Sequence, residues 1–278
     1  MKPHANRNNA DVRVAFFVTC LVDQLRPEIG WGAVELLRRA GCEVDFDARQ
    51  SCCGQPAFNS GYHAEAASVA KQQLRIFDES KALYDAIVTP SGSCAAMVHR
   101  FPQLISGAEE VASSTYELAG FLVNQLKFVD FGAELSGRVS WHDSCHGLRD
   151  LGLKHEPREL MAQVKGLEWV EAELAEECCG FGGTFAVKNA DLSVAMADRK
   201  IDELEELGVD YVTGADLSCL MHMGGRLQRR GSKIEAVHFA ELIARGLPGY
   251  SAPEGSELFA TQIEQDPPAS SNPNAVEV

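Results

Sequence analysis

Apolar and polar positions along the chain switch between a strand-like and a helix-like period, and the switches mark out the elements. Val12 to Val18 is a nearly continuous β-branched and aromatic run, predicting a buried strand that leads to Cys20. Pro27 then falls where a first helical turn tolerates proline, Val34 and Leu37 supply helical spacing, and Gly41 is placed to stop the helix. Cys42 to Phe46 alternates as a second strand, Ala66, Ala70, Leu74 and Phe77 mark a second amphipathic helix, and Ala86 to Thr89 is a third strand. The rhythm then returns. It predicts a strand at Arg138 to His142, a helix at Pro157 to Val164 and a strand at Leu167 to Glu171. A helix starting near Asn189 and carrying Val194, Ala197, Ile201 and Leu204 follows, and then a strand at Tyr211 to Thr213.

Strands that alternate with helices imply parallel sheets joined by right-handed crossovers, so the predicted class is α/β. The cysteines show that this pattern occurs twice. Cys20, Cys52, Cys53 and Cys94 are followed at offsets of 125, 126, 126 and 125 by Cys145, Cys178, Cys179 and Cys219. The surrounding text repeats as well, CCGQPAF against CCGFGGTF and AIVTPSGSCAAM against YVTGADLSCLMH. The expectation is therefore two duplicated Rossmann-like parallel-sheet domains, residues 11–130 and 131–250, each burying its own core. Residues 1–10 are polar, and 251–278 hold five acidic residues and no basic one among Pro, Ser and Asn, so both ends are expected to be disordered.

Composition narrows the classes. With 278 residues and 45% hydrophobic content the chain can bury a sizeable core. A net charge of -15, from 25 basic and 40 acidic residues, repels phosphate backbones and anionic lipid, so nucleic acid is not an expected partner. No apolar stretch approaches the ~20 residues of a membrane span, and no secretory signal opens the chain, which is expected to be cytoplasmic. In a reducing compartment nine cysteines do not form a disulfide framework, and another role has to account for them.

Each of the eight repeated cysteines lies just past the C-terminal end of a predicted parallel strand. Between them lie 31 and 40 residues in the first half and 32 and 39 in the second, the size of one crossover plus strand. In open α/β sheets those ends share one edge, where ligands bind. Soft thiolates select zinc, Cu(I) or iron–sulfur clusters. The adjacent pairs Cys52-Cys53 and Cys178-Cys179 suit one tetrahedral zinc poorly, because neighbouring side chains diverge, whereas a cuboidal cluster offers separate irons to adjacent thiolates. Gly54 and Gly180 would let backbone amides come close to the sulfurs, or serve simply as turn glycines. Cys42 has no repeat partner and reads as a small core residue.

CCG pairs occurring twice, with single cysteines before and after, resemble the cysteine-rich CCG domains of heterodisulfide reductase and its relatives. FVTCLVDQLRPEIG, GCEVDFD, CCGQPAFNSGY, VTPSGSCAAM, SCHGLRDLG, CCGFGGTFAVK and GADLSCLMHMGGRL narrow the resemblance, from about Val12 to Ala244, to the iron–sulfur subunits of three-protein lactate-oxidation systems. The resemblance implies an oxidoreductase subunit that helps convert L-lactate to pyruvate with two partner subunits, one carrying ferredoxin-type clusters. It also implies one cluster site at Cys20, Cys52, Cys53 and Cys94 and another at Cys145, Cys178, Cys179 and Cys219. Heterodisulfide-type domains end each motif in C-x-x-C, but here those positions are Cys94-Ala-Ala-Met97 and Cys219-Leu-Met-His222. The missing fifth cysteines favour two ordinary [4Fe-4S] clusters over the noncubane kind.

Other readings stay open at this point. The subunit could serve another 2-hydroxy acid such as glycolate, one site could hold zinc and make the chain a structural assembly subunit, or the paired cysteines could exchange disulfides. His222 could replace a missing thiolate, and His146 could hydrogen-bond a sulfur. His142, Asp143 and Arg149 could bind a carboxylate or dock a partner, although an ordinary structural role is the simpler reading for each. Gly180 to Gly183 is a poor dinucleotide fingerprint, because Phe185 stands where the third glycine belongs. No C-x2-C-x2-C run provides a built-in ferredoxin relay, so electrons would leave through a partner.

Overall fold

The computed structural model describes residues 12–253, so the expectations for 1–10 and for most of 251–278 lie outside the described residues. Two four-stranded, all-parallel sheets form the framework. The first contains β1 (Arg13–Phe16), β2 (Glu43–Asp45), β3 (Ala86–Thr89) and β4 (Thr115–Glu117), in the order β2-β1-β3-β4. The second contains β5 (Glu134–Trp141), β6 (Lys165–Trp169), β7 (Tyr211–Gly214) and β8 (Glu235–His238), in the order β6-β5-β7-β8. The duplicated α/β class and the six expected strands are present. The sequence pattern predicts three strands per half, and β4 and β8 complete each sheet as edge strands.

The helices follow from the same local signals. Pro27 opens the helix Pro27–Arg39, and Gly41 follows it with φ +94°, a left-handed value that costs glycine little. Ala66, Ala70 and Phe77 are buried on the helix His63–Ser80, and Ala197, Ile201 and Leu204 on the helix Ala190–Leu207. No helix among the described residues is long and apolar enough to cross a membrane.

The largest core is shared between the halves, beyond the separate core expected of each. The largest apolar cluster joins Ala33, Leu36 and Leu37 of the first half to Phe239, Ala240 and Ile243 of the second. The reason is a reciprocal exchange of the helices that follow the edge strands. Phe239–Arg245, after β8, packs on Pro27–Arg39, where a Cβ on Gly32 would lie 2.9 Å from the Ala240 carbonyl oxygen. Leu118–Gly120, after β4, packs on His155–Met161 in the second half. The half-buried Arg26 pairs with Glu241 at 3.0 Å across the same boundary, and the buried His238 donates from Nε2 to the Pro90 carbonyl at 3.0 Å. Smaller apolar clusters lie within each half, one around Phe17 and Phe77 and one around Ile201 and Leu204.

Candidate metal centre

Strand order decides where the cysteines go. In each sheet the crossovers leave the first strand in opposite directions, so a crevice opens at the C-terminal ends of β1 and β3, and of β5 and β7. Cys20 starts the helix Cys20–Leu25 after β1, and Cys94 lies in the helix Gly92–His99 after β3. Cys52 and Cys53 follow β2. Cys145, Cys178, Cys179 and Cys219 repeat this arrangement around β5, β6 and β7, with Cys219 in the helix Leu217–Arg230. All eight line one cavity of about 410 Å³ between the halves. All nine cysteines are free thiols, and Cys42 is 6% exposed inside the shared core, with its thiol pushed up to about 11 by burial. It is not part of the cavity.

Within each set the thiols interact directly. The Cys53 and Cys94 sulfurs are 3.2 Å apart. Cys52 is driven far down as a thiolate by hydrogen bonds from the Cys20 and Cys53 thiols and from the Gly54 amide at 3.4 Å. Cys178 is driven down in the same way by Cys145, by Cys179 and by the Gly180 amide at 3.4 Å. Their donors Cys20, Cys53, Cys145 and Cys179 are pushed up, chiefly by giving those hydrogen bonds. Cys219 is lowered to about 6, first by the Cys179 hydrogen bond, with His142 adding to it. An all-sulfur donor set with thiolate character fits a soft metal or a metal cluster.

The backbone at the site has the close approach expected of the two glycines. Gly54 and Gly180 have φ +90° and +91°, and a Cβ on Gly180 would lie 2.5 Å from the Ser193 carbonyl oxygen. Thr19, immediately before Cys20, has φ +74°, a strained value for a β-branched residue, and it too lines the cavity.

No sequence signal marks Asp216. Its Oδ1 accepts from the Ser91 hydroxyl at 3.0 Å and the Ser93 amide at 2.9 Å, and its Oδ2 accepts from the Ser144 hydroxyl. Ser93 precedes Cys94 and Ser144 precedes Cys145, so one buried carboxylate ties together cysteine-bearing loops of both halves. Its repeat counterpart is Ser91, and only the paired structure shows that the two residues meet.

Other expectations change. His222 makes a 3.1 Å hydrogen bond with the Ser193 hydroxyl, which itself donates to the Gly180 carbonyl, so it braces the glycine turn. His146 lies at the cavity wall with Nε2 3.9 Å from Asp150. Asp143 is buried and held by Arg158 through two hydrogen bonds of 3.0 and 2.8 Å, and Arg149 is exposed. A carboxylate-binding trio of His142, Asp143 and Arg149 is therefore not formed. His142 instead groups with Cys179 and Cys219, their ligand atoms all within 4.8 Å of one another.

Residues 14–99 and 139–224 match the family described as CCG, cysteine-rich domain. The chain is similar to lactate utilization protein A of Geobacillus sp. (strain WCH70), 47% identical over 239 residues, covering 84% of this chain and 99% of that protein. It is likewise 46% identical to the protein of that name from Macrococcus caseolyticus (strain JCSC5402), over 84% of this chain and 96% of the relative. Among solved structures it is similar to a hypothetical protein from Helicobacter pylori, with a TM-score of 0.50 and 12% identity over 87% of this chain and 50% of that one, a likeness of fold.

Proposed function

The chain belongs to the CCG cysteine-rich domain family and, within it, to the lactate utilization protein A family, and on that premise we propose that it is the iron–sulfur oxidoreductase subunit of an L-lactate oxidation system. The observation that carries the reading is the convergence of eight thiols, in two equivalent sets, on one cavity between two duplicated sheets. Cys20, Cys52, Cys53 and Cys94 would hold one [4Fe-4S] cluster, and Cys145, Cys178, Cys179 and Cys219 a second. Such clusters supply one-electron transfer when bound.

The chain's own residues hold and tune. The adjacent pairs present two sulfurs from one turn, and the Gly54 and Gly180 amides donate to the sulfurs of Cys52 and Cys178, an interaction that stabilises negative charge there. The Asp216 bridge keeps the two ligand edges face to face. The cavity opens to solvent beside the half-exposed Leu21 and the exposed Val187, where a partner can reach both sets. The absence of a ferredoxin-type run in the sequence supports work with two partner subunits, one carrying such clusters, in the cytoplasm, where thiols stay reduced.

A zinc-containing assembly role is the second reading, favoured by the His142, Cys179 and Cys219 grouping, which offers three ligands of the kind zinc takes. A genetic test addresses the first. Deleting the gene should abolish growth on L-lactate and spare growth on pyruvate, and neither Cys53→Ser nor Cys179→Ser should restore it. Normal growth of the deletion strain on L-lactate would remove the proposal.

A further inference from the structure

The two cysteine sets differ at the residue three positions ahead of the first cysteine, which is Phe17 in one half and His142 in the other. Both are buried, at 0% and 2% exposure. Phe17 is satisfied by apolar packing, meeting Phe77 edge-on with ring centroids 5.7 Å apart. His142 is not satisfied in that way. Among the described residues neither ring nitrogen has a nitrogen or oxygen partner, the group it acts on being the Cys219 thiol, and a buried donor left without an acceptor costs roughly 1–3 kcal/mol. The acceptors within reach are sulfurs, since the Cys179 and Cys219 Sγ atoms lie within 4.8 Å of an imidazole nitrogen. Four thiolates already complete the ligand count of a cubane at this set, which leaves the imidazole to act beside the centre.

We propose that His142 donates an N–H hydrogen bond to the Cys219 thiolate of the loaded second site and makes that site the more easily reduced of the two. The inference rests on the [4Fe-4S] reading. Reduction adds one negative charge that spreads onto the ligating sulfurs, and a donor aimed at a sulfur stabilises the reduced form more than the oxidised one. Phe17 offers the first site no such donor. An electron delivered to either site therefore settles on the half that carries His142, which gives the duplicated protein a direction.

The test is a redox titration of the anaerobic full-length protein, followed by electron paramagnetic resonance, on wild type, His142→Phe, His142→Asn and His142→Gln. Wild type should titrate in two waves. His142→Phe, which copies the first half, should move the more positive wave toward the other, leave the second wave in place and keep the iron content. At least one of the amide variants, each retaining an N–H donor, should recover part of the shift. Two unmoved waves in His142→Phe would overturn the inference, and so would loss of half the iron, which would make His142 a ligand. A wild-type chain holding zinc without sulfide would give no waves, and that failure would belong to the cluster reading.

Discussion

Removing the Asp216 carboxylate should loosen both candidate centres at once, although it belongs to one half. The carboxylate accepts three hydrogen bonds, from the Ser91 hydroxyl, the Ser93 amide and the Ser144 hydroxyl, at 3% exposure. Hydrogen bonds to a charged group contribute about 1.5–3 kcal/mol each and are not additive, so Asp216→Ala should cost roughly 3–6 kcal/mol. Asp216→Asn keeps one acceptor oxygen for Ser91 and Ser93 and turns an amide toward Ser144, whose hydroxyl can rotate to accept, so its cost should be about 1–2 kcal/mol. Against a total stability of ~5–15 kcal/mol the alanine change is large. Urea unfolding under anaerobic conditions gives the stability, and iron per chain gives the consequence for the loops bearing Cys94 and Cys145. Asp216→Ala should bind less iron at both sites. An alanine variant within 1 kcal/mol of wild type, or one no less stable than the asparagine variant, would refute the bridging role.

Burial raises Glu117 to about 8, so the folded state keeps it neutral while the unfolded chain ionises it near 4.5. Its contribution is complete below 4.5 and is lost as pH climbs to 8, so Glu117→Gln should gain stability relative to wild type between pH 5 and pH 8 in urea midpoints, and a constant difference would contradict this. Gly180→Ala meets the Ser193 carbonyl at 2.5 Å, whereas Gly183→Ala at φ +63° meets nothing within 4 Å. The first should cost roughly 3 kcal/mol or more and lower second-site iron, and the second about 1 kcal/mol with iron retained, as read by unfolding and metal analysis. Cys42→Ala should cost about 1 kcal/mol and leave iron unchanged, and iron loss would show that Cys42 belongs to a ligand set.

The parts of the fold legible in the sequence are those written in local pattern. Ala86–Thr89 ends in three consecutive strand formers, Ile87, Val88 and Thr89, and is found at its predicted bounds, and Pro27 and Gly41 frame their helix. Strands β4 and β8 were missed because Thr-Tyr-Glu and Glu-Ala-Val-His are short and carry polar ends, and those ends are buried as helix caps: Glu117 accepts from Gly120, and His238 accepts from Ala240. The shared core could not be read from either half, because Leu118–Gly120 and nearly all of Phe239–Arg245 are buried, and nothing in their local pattern tells which half covers them. The cysteine sets were legible through their repeat. Their meeting in one cavity, the Asp216 bridge and the buried His142 depend on how the halves pair, which spacing along a chain does not encode.

Iron, zinc and acid-labile sulfide per chain, measured after purification without oxygen, decide whether the eight thiolates hold clusters. Two [4Fe-4S] centres on eight thiolates require about eight irons and about eight sulfides. Zinc in place of iron, with no labile sulfide, would contradict their presence.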